Sequence, residues 1–214
     1  MSAPGQIIIL NGAPRSGKSS IVAAVQDSFP GPWMNLGVDV MVRRATPPRY
    51  RPGIGLRPGG ERPEVEALVP AFYAALFDSV AAHARQGLNV VVDIGLHEAY
   101  SRPLGLLPDA SNRLRGLAVL FVGVRCPVDV IMARRDASAK TAAGTYVTRG
   151  PHGEVPAAVL RWNDEVHRGK SYDLEVDTAK LSPSQCAQAI RKSLDRRSGS
   201  PTSFERMASG ADGV

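Results

Sequence analysis

The stretch of the sequence that decides the fold is Gly12-Ala13-Pro14-Arg15-Ser16-Gly17-Lys18-Ser19. It fits the pattern G-x-x-x-x-G-K-[ST] in full. It lies between a continuously apolar segment at residues 6–10 and a segment of helical pattern that ends near residue 30. Between a strand and a helix, such a loop turns its backbone N–H groups toward phosphate oxygens. We therefore predict a nucleotide-binding loop; the alternative is a chance glycine-rich turn.

The residues of this loop have distinct predicted tasks. Gly12 and Gly17 let the backbone curl around a phosphate, and the helix that follows adds the positive end of its dipole. Lys18 reaches the β and γ phosphates of ATP, and the Ser19 hydroxyl can ligate Mg²⁺. The predicted nucleotide-binding residues are Gly12, Ala13, Pro14, Arg15, Ser16, Gly17, Lys18, Ser19 and Ser20.

The composition predicts one globular domain. Of the 214 residues, 43% are hydrophobic and 21% are charged, and no apolar run approaches the roughly 20 residues that a membrane span needs. The N-terminus lacks the pattern of a signal peptide, so we expect a cytoplasmic protein. We place the domain at residues 1–194 and predict that the polar, aperiodic residues 195–214 form a disordered tail.

Alternation along the chain predicts an α/β fold with a parallel sheet. Further strands are predicted at residues 33–39, 88–92, 117–124 and 174–176, and helices at residues 64–85, 100–114, 157–167 and 183–194 and from residue 127 onward. We expect a P-loop kinase-like three-layer sandwich with five parallel strands, in the order 2-3-1-4-5 by analogy with nucleoside-kinase-like folds. Residues 137–156, rich in Gly, Thr and Pro, are predicted to form a lid.

A basic, proline-rich loop is predicted at residues 43–63. Residues 43–62 hold six arginines against one glutamate, a net charge of +5 within a total of +6. Only Tyr50 interleaves with these arginines, so a stacking platform for nucleic-acid bases is poorly supported. A solvated or substrate-facing loop is the better interpretation.

Two aspartates come at the ends of predicted strands. Asp39 follows the second strand and Asp93 the third, and the carboxyl ends of parallel strands line the ligand crevice. One acid near Mg²⁺ can hold the metal, together with Ser19, while the other takes the proton of an attacking hydroxyl. The alternative is that either aspartate is only a turn residue.

Three further residues are candidates for the site. Arg134 lies on a helix before the predicted lid, where it can neutralise charge on the transferred phosphoryl group. Adjacent helical residues point about 100° apart, so Arg135 is not expected to face the nucleotide as well. His97 and Val40 are candidate contacts to the acceptor alongside Asp39; His97 is otherwise a loop histidine with no task.

The sequence resembles the chloramphenicol phosphotransferases. The resemblance is carried by residues 8–12, 31–39, 122–126 and 167–178, and it extends over most of residues 6–194. It implies an ATP- and Mg²⁺-dependent kinase that inactivates an antibiotic by phosphorylating a hydroxyl group. It also implies that Asp39 is the general base and that Arg134 faces the phosphates.

The chain departs from that family in its basic loop and its long lid, so the acceptor stays open. The rivals are a kinase for another hydroxylated antibiotic, nucleoside or metabolite, and a nucleotide-dependent regulatory protein. The sequence has no Asn-Lys-x-Asp motif of GTPases. A nucleic-acid kinase is a third possibility, suggested by the basic loop.

Overall fold

The computed structural model describes residues 3–52, 56–58, 62–139, 148–196 and 201–210. The strands are β1 (Ile7–Asn11), β2 (Trp33–Asn35), β3 (Asn89–Ile94), β4 (Val119–Arg125) and β5 (Leu174–Asp177). The α-helices are α1 (Lys18–Ser28), α2 (Val38–Val40), α3 (Pro63–Glu66), α4 (Val69–Arg85), α5 (Leu106–Arg113), α6 (Val128–Ala139), α7 (Ala157–Glu165), α8 (Pro183–Asp195) and α9 (Ser203–Ser209).

The sheet is parallel and its order is β2-β3-β1-β4-β5, which confirms the predicted fold and strand order. β1 is central, and Leu10 pairs with Asp93 of β3 on one side and with Val122 of β4 on the other. Because all strands run the same way, their carboxyl ends meet at one edge. The loop at residues 12–17 leaves β1 at this edge.

Helices cover both faces of the sheet and make three layers. Along β1, Ile7 and Ile9 join a core cluster with α4, α5 and α9, whereas Ile8 and Leu10 join another with α1 and α8. All four side chains are fully buried, as expected of a strand covered on both faces. A third cluster packs α6 and α7 against Ala13 of the loop and so positions both helices beside it.

Several predicted elements are shorter or divided, among them the helix predicted at residues 100–114, which spans only Leu106–Arg113. The strand predicted at residues 33–39 ends at Asn35, because the Asn35 side chain accepts a hydrogen bond from the Gly37 N–H and turns the chain into α2. The helix predicted at residues 64–85 is α3 and α4. Pro70, in the first turn of α4, lacks the N–H that would continue a helix from α3.

In the basic segment, the loop predicted at residues 43–63, arginine side chains donate hydrogen bonds to backbone carbonyl oxygens of the same segment. It contains a π-helical turn, Met41–Ala45, and a 3-10 turn, Pro48–Tyr50, where the sequence showed no periodicity. Arg51 donates to the carbonyl oxygens of Thr46 and Arg43, both at 2.9 Å, and Arg62 donates to that of Arg51 at 2.8 Å. Part of the positive charge therefore stabilises the loop.

The prediction of a disordered tail is wrong for residues 201–210. Thr202 and Glu205 form a reciprocal capping box that begins α9, and Phe204 is 3% exposed with its ring 5.3 Å from that of Phe121 in β4. Asp173 accepts hydrogen bonds from the Ser203 N–H and hydroxyl. Seven residues are too few for helical periodicity to be visible in the sequence. The packing of Phe204 against Phe121 is what holds this helix on the domain.

We predict that Phe204→Ala destabilises the protein by about 3 kcal/mol, because it removes a buried aromatic side chain and leaves a cavity. Urea unfolding measures the change. Ser209→Ala on the exposed end of the same helix is the matched control and should change stability by less than about 0.5 kcal/mol. Equal effects of the two substitutions would mean that α9 is not anchored through its aromatic ring.

Only part of the predicted lid can be followed. α6 continues to Ala139, residues 140–147 lie outside the described residues, and residues 148–156 form turns that lead into α7. The lid therefore stays a prediction. Among the described residues, no helix is both long enough and apolar enough to cross a membrane.

Candidate active site

A cleft of about 590 Å³ lies at the carboxyl edge of the sheet. One half is formed by the loop at residues 14–19, by α6 and by residues 178–183 after β5. The other half is formed by α2, by the basic segment, by the end of β3 and by α7. We call these the nucleotide half and the acceptor half.

The loop of the nucleotide half is closely fitted to its surroundings. A Cβ atom on Gly12 would lie 2.5 Å from the carbonyl oxygen of Val124, so only glycine fits there. Gly17 has φ +99°, a left-handed conformation that suits glycine, and it immediately precedes α1. Because α1 begins at Lys18, its unpaired N–H groups and its positive dipole end face the cleft, which suits a phosphate group.

Lys18 is half-buried and turns back under this loop. Its Nζ donates to the carbonyl oxygens of Gly12 at 2.8 Å and Ala13 at 2.9 Å. Burial lowers the pKa of Lys18 from 10.5 to about 8, while the charges of Asp93 and Asp39 oppose this shift. The ammonium group is thus held close to the two aspartates at the point where phosphates would enter.

The lowered pKa of Lys18 predicts that ATP capture weakens as the pH rises through about 8. Above that pH the lysine of the free enzyme is neutral and must take up a proton to pair with phosphate, so kcat/KM for ATP should fall up to tenfold per pH unit. A pH–rate profile measures this. Lys170, whose pKa also drops to about 8, lies outside the lining of the cleft, so Lys170→Gln should keep the profile. A flat profile to pH 9 would contradict the prediction.

Ser19 and Asp93 meet as predicted for a metal site. The Ser19 hydroxyl donates to Asp93 Oδ2 at 2.9 Å, and Asp93 is buried. A Cβ atom on Gly37 would lie 1.6 Å from Asp93 Oδ1, so glycine there lets the chain pass against this carboxylate. One hydroxyl and one carboxylate fit Mg²⁺, which takes few protein ligands and completes its shell with phosphates and water. No cluster of three or more His, Cys, Asp or Glu residues within the described ranges could hold a metal alone.

Asp39 lies in the acceptor half, but on α2 rather than at a strand end. Its side chain is 59% exposed, and the nearest charge partner is the exposed Arg43, at 3.9 Å between Nη2 and Oδ2. An exposed ion pair of this length contributes little. The carboxylate therefore remains available to a group that enters the cleft.

Arg134 joins the loop to the segment after β5. Its Nη1 donates to the carbonyl oxygen of Arg15 at 3.3 Å and to Thr178 Oγ1 at 3.1 Å, and its Nη2 donates to the Thr178 carbonyl oxygen at 2.8 Å. Thr178 Oγ1 in turn donates to the carbonyl oxygen of Ser16 at 2.6 Å. The guanidinium group lines the cleft while it braces the loop, and its contact with phosphate remains a prediction.

Arg134 and Arg135 both line the cleft, and the expectation that only one of them faces the nucleotide stays a prediction. Arg135 is 4% exposed and also lines the cleft. The cleft therefore reaches both of these adjacent positions on α6.

Two candidate acceptor residues are not brought to the cleft. Val40 is exposed and His97 is fully buried, and neither is among the described residues that line it. Three residues that line the cleft were not predicted from the sequence: Trp162, Arg57 and Val42. A tryptophan on an apolar helix face is typical of a core position, and one arginine among six in a loop carries no individual signal.

The fold is shared with solved kinase structures at low sequence identity. A sugar kinase from Janibacter sp. is 18% identical, with 91% of this chain and 96% of that chain covered and a TM-score of 0.57. The Mycobacterium tuberculosis APS kinase in complex with AMPPNP and APS is 18% identical, with 91% and 99% covered and a TM-score of 0.60. The Deinococcus radiodurans tunicamycin resistance protein is 19% identical, with 89% and 95% covered and a TM-score of 0.57.

At these identities the likeness shows the fold alone. No curated protein matches the sequence significantly. A family model described as chloramphenicol phosphotransferase-like protein matches residues 5–195, which is most of the chain and includes every residue of the cleft discussed above. The chain therefore belongs to the chloramphenicol phosphotransferase-like family, and it is an ATP-dependent phosphotransferase that acts on a small molecule.

Proposed function

We propose that this kinase uses ATP and Mg²⁺ to phosphorylate a hydroxyl group of an antibiotic such as chloramphenicol, and so inactivates it. The observation that carries the proposal is the position of Asp39. Its exposed carboxylate lies in the same cleft as Lys18 and close enough to influence the pKa of that lysine. A base beside the phosphate-binding loop is the arrangement that phosphoryl transfer to an alcohol needs.

Each residue has a task in the proposed reaction. Asp39 accepts the proton of the acceptor hydroxyl as its oxygen attacks the γ-phosphoryl group of ATP, and ADP leaves. Lys18 and the N-terminus of α1 stabilise the charge on the phosphates. Ser19 and Asp93 would hold Mg²⁺, which supplies further neutralisation of that charge when bound.

The walls of the acceptor half favour an acceptor with an apolar or aromatic body. Besides Asp39, the described lining residues there are mostly apolar, and one is a tryptophan: Val38, Val42, Pro52, Ile94 and Trp162. Apolar walls with a few polar groups are typical of small-molecule sites. They suit a drug-like alcohol better than a small, fully hydrated sugar.

A second candidate acceptor is a hydroxylated compound that carries a negatively charged group. The observation that favours it is Arg57, which lines the acceptor half close to these apolar residues in the fold. The solved relatives of the same fold include an APS kinase in complex with APS and a tunicamycin resistance protein. A guanidinium group recognises anions well.

An acceptor screen tests the proposal. Purified protein is mixed with ATP and Mg²⁺ and with chloramphenicol, other hydroxylated antibiotics, nucleosides or sugars, and ADP release is followed. Mass spectrometry identifies the phosphorylated product, and a growth assay shows whether that product has lost activity. Phosphorylation only of a hydroxylated compound that carries a negatively charged group, added to the same screen, would favour the second candidate. ADP release that no alcohol stimulates would indicate a nucleotide-dependent regulatory protein instead.

Because ATP is a cytoplasmic substrate, the proposal also places the protein in the cytoplasm.

A further inference from the structure

His97 lies behind the acceptor half, where it contacts the lining residue Trp162 and Leu56, the neighbour of the lining residue Arg57. Its Nε2 is 2.9 Å from the carbonyl oxygen of Leu56 in the basic segment. Its ring meets that of Trp162 in α7 edge to face, with 6.1 Å between the ring centroids. Leu56 and Trp162 are 106 positions apart in the sequence, so His97 is the point at which two distant parts of the chain meet.

The geometry fixes the role of each ring nitrogen. Nδ1 accepts a hydrogen bond from the Ala99 N–H at 3.2 Å, so the proton is on Nε2, which donates to the Leu56 carbonyl oxygen. The ring also stacks on Tyr100, with centroids 4.4 Å apart. Burial lowers the pKa of His97, so the ring stays neutral near pH 7 and this tautomer persists.

The hydrogen bond from His97 to the Leu56 carbonyl oxygen fixes the backbone directly before Arg57, which lines the cleft. Leu56 is 3% exposed and belongs to the main core cluster, while the next residue, Arg57, lines the acceptor half. Trp162 lines the same half from the opposite element. A shift of the Leu56 backbone would therefore move Arg57 relative to Trp162 and change the width of the acceptor half.

We propose that His97 is a positioning residue, which sets the acceptor half by fixing the backbone at Leu56 and the ring of Trp162. It acts through Arg57 and Trp162 and does not touch the acceptor itself. This inference rests on the proposed function. It assigns His97 to acceptor affinity and not to nucleotide binding, since the hydrogen bonds and ring contacts described for His97 involve no residue of the nucleotide half.

Two variants of His97 separate positioning from simple packing. His97→Leu fills a similar volume with an apolar side chain that cannot donate a hydrogen bond to the Leu56 carbonyl oxygen. In His97→Gln, the side-chain amide can donate this hydrogen bond from about the position of the histidine Nε2. With chloramphenicol as acceptor, His97→Leu should raise the acceptor KM about tenfold and leave the ATP KM within about twofold. His97→Gln should recover most of the loss. His83→Leu, at a half-buried histidine whose ring is bonded to the Ser79 carbonyl oxygen of its own helix, is the matched control.

A second measurement needs no substrate. Chymotrypsin can cut after Leu56, and the buried leucine protects that bond in the folded protein. His97→Leu should release the fragment ending at Leu56 at least about fivefold faster than wild type, and His97→Gln should not. Equal cleavage of His97→Leu and wild type would overturn the proposal, as would parallel rises of both KM values. If wild type phosphorylates no alcohol, the proposed function fails, and the cleavage rates alone decide whether His97 anchors the segment.

Discussion

Lys18→Ala is expected to lower kcat/KM for ATP about a thousandfold. The half-buried ammonium group lies against the phosphate-binding loop, where its Nζ donates to the carbonyl oxygens of Gly12 and Ala13. When phosphates enter, it exchanges these carbonyl oxygens for phosphate oxygens in a site shielded from water, where charge interactions are strong. No other lysine lines the cleft among the described residues, so none can take over.

A coupled assay for ADP and a direct ATP-binding titration measure the two parts of this effect. Lys192→Ala removes an exposed lysine on α8 and should leave both unchanged. Thermal unfolding of the variant shows whether the protein is still folded. Activity of Lys18→Ala close to that of wild type would overturn the assignment of the nucleotide site, and with it every role proposed for the cleft.

The central sheet and the phosphate-binding loop could be predicted because their signals are local. β1, β3 and β4 are continuous apolar runs, as expected of strands covered on both faces, and the loop motif lies where β1 ends. The pairing of Ser19 with Asp93 follows from the same logic, since adjacent parallel strands end at one edge. Topology thus assigned two residues 74 positions apart to one predicted metal site, and the structure places them in contact.

The remaining features depend on tertiary contacts that no local pattern reveals. Phe204 anchors α9 through a partner in β4, and His97 is buried because Leu56 of the basic segment covers it. Asp39 lies on a helical turn and not at the end of a strand because the chain must pass Asp93 at Gly37. The sequence shows that these residues are polar, small or aromatic, but it does not show which residues they contact in the folded protein.

Asp39→Asn is expected to lower kcat between a hundredfold and ten thousandfold while the ATP KM stays within about twofold. The amide keeps the size of the side chain and a hydrogen-bonding oxygen but cannot accept the proton of the acceptor hydroxyl. Asp39 lines the acceptor half, and no residue described here has it as a hydrogen-bond partner, so the variant should fold as wild type does. The loss should therefore appear in the chemical step.

Two further variants show whether this loss belongs to a base. Asp27→Asn, on the exposed face of α1, should have wild-type kinetics. Asp93→Asn should instead raise the Mg²⁺ concentration needed for half-maximal activity, because that carboxylate is bonded to Ser19 at the predicted metal site. Loss of a metal ligand and loss of a base therefore respond differently to added metal. Excess Mg²⁺ should restore part of the activity of Asp93→Asn and none of the activity of Asp39→Asn. Near-wild-type kcat in Asp39→Asn would exclude it as the base and would leave the cleft without a carboxylate suited to accept the proton, since Asp93 is buried against Ser19.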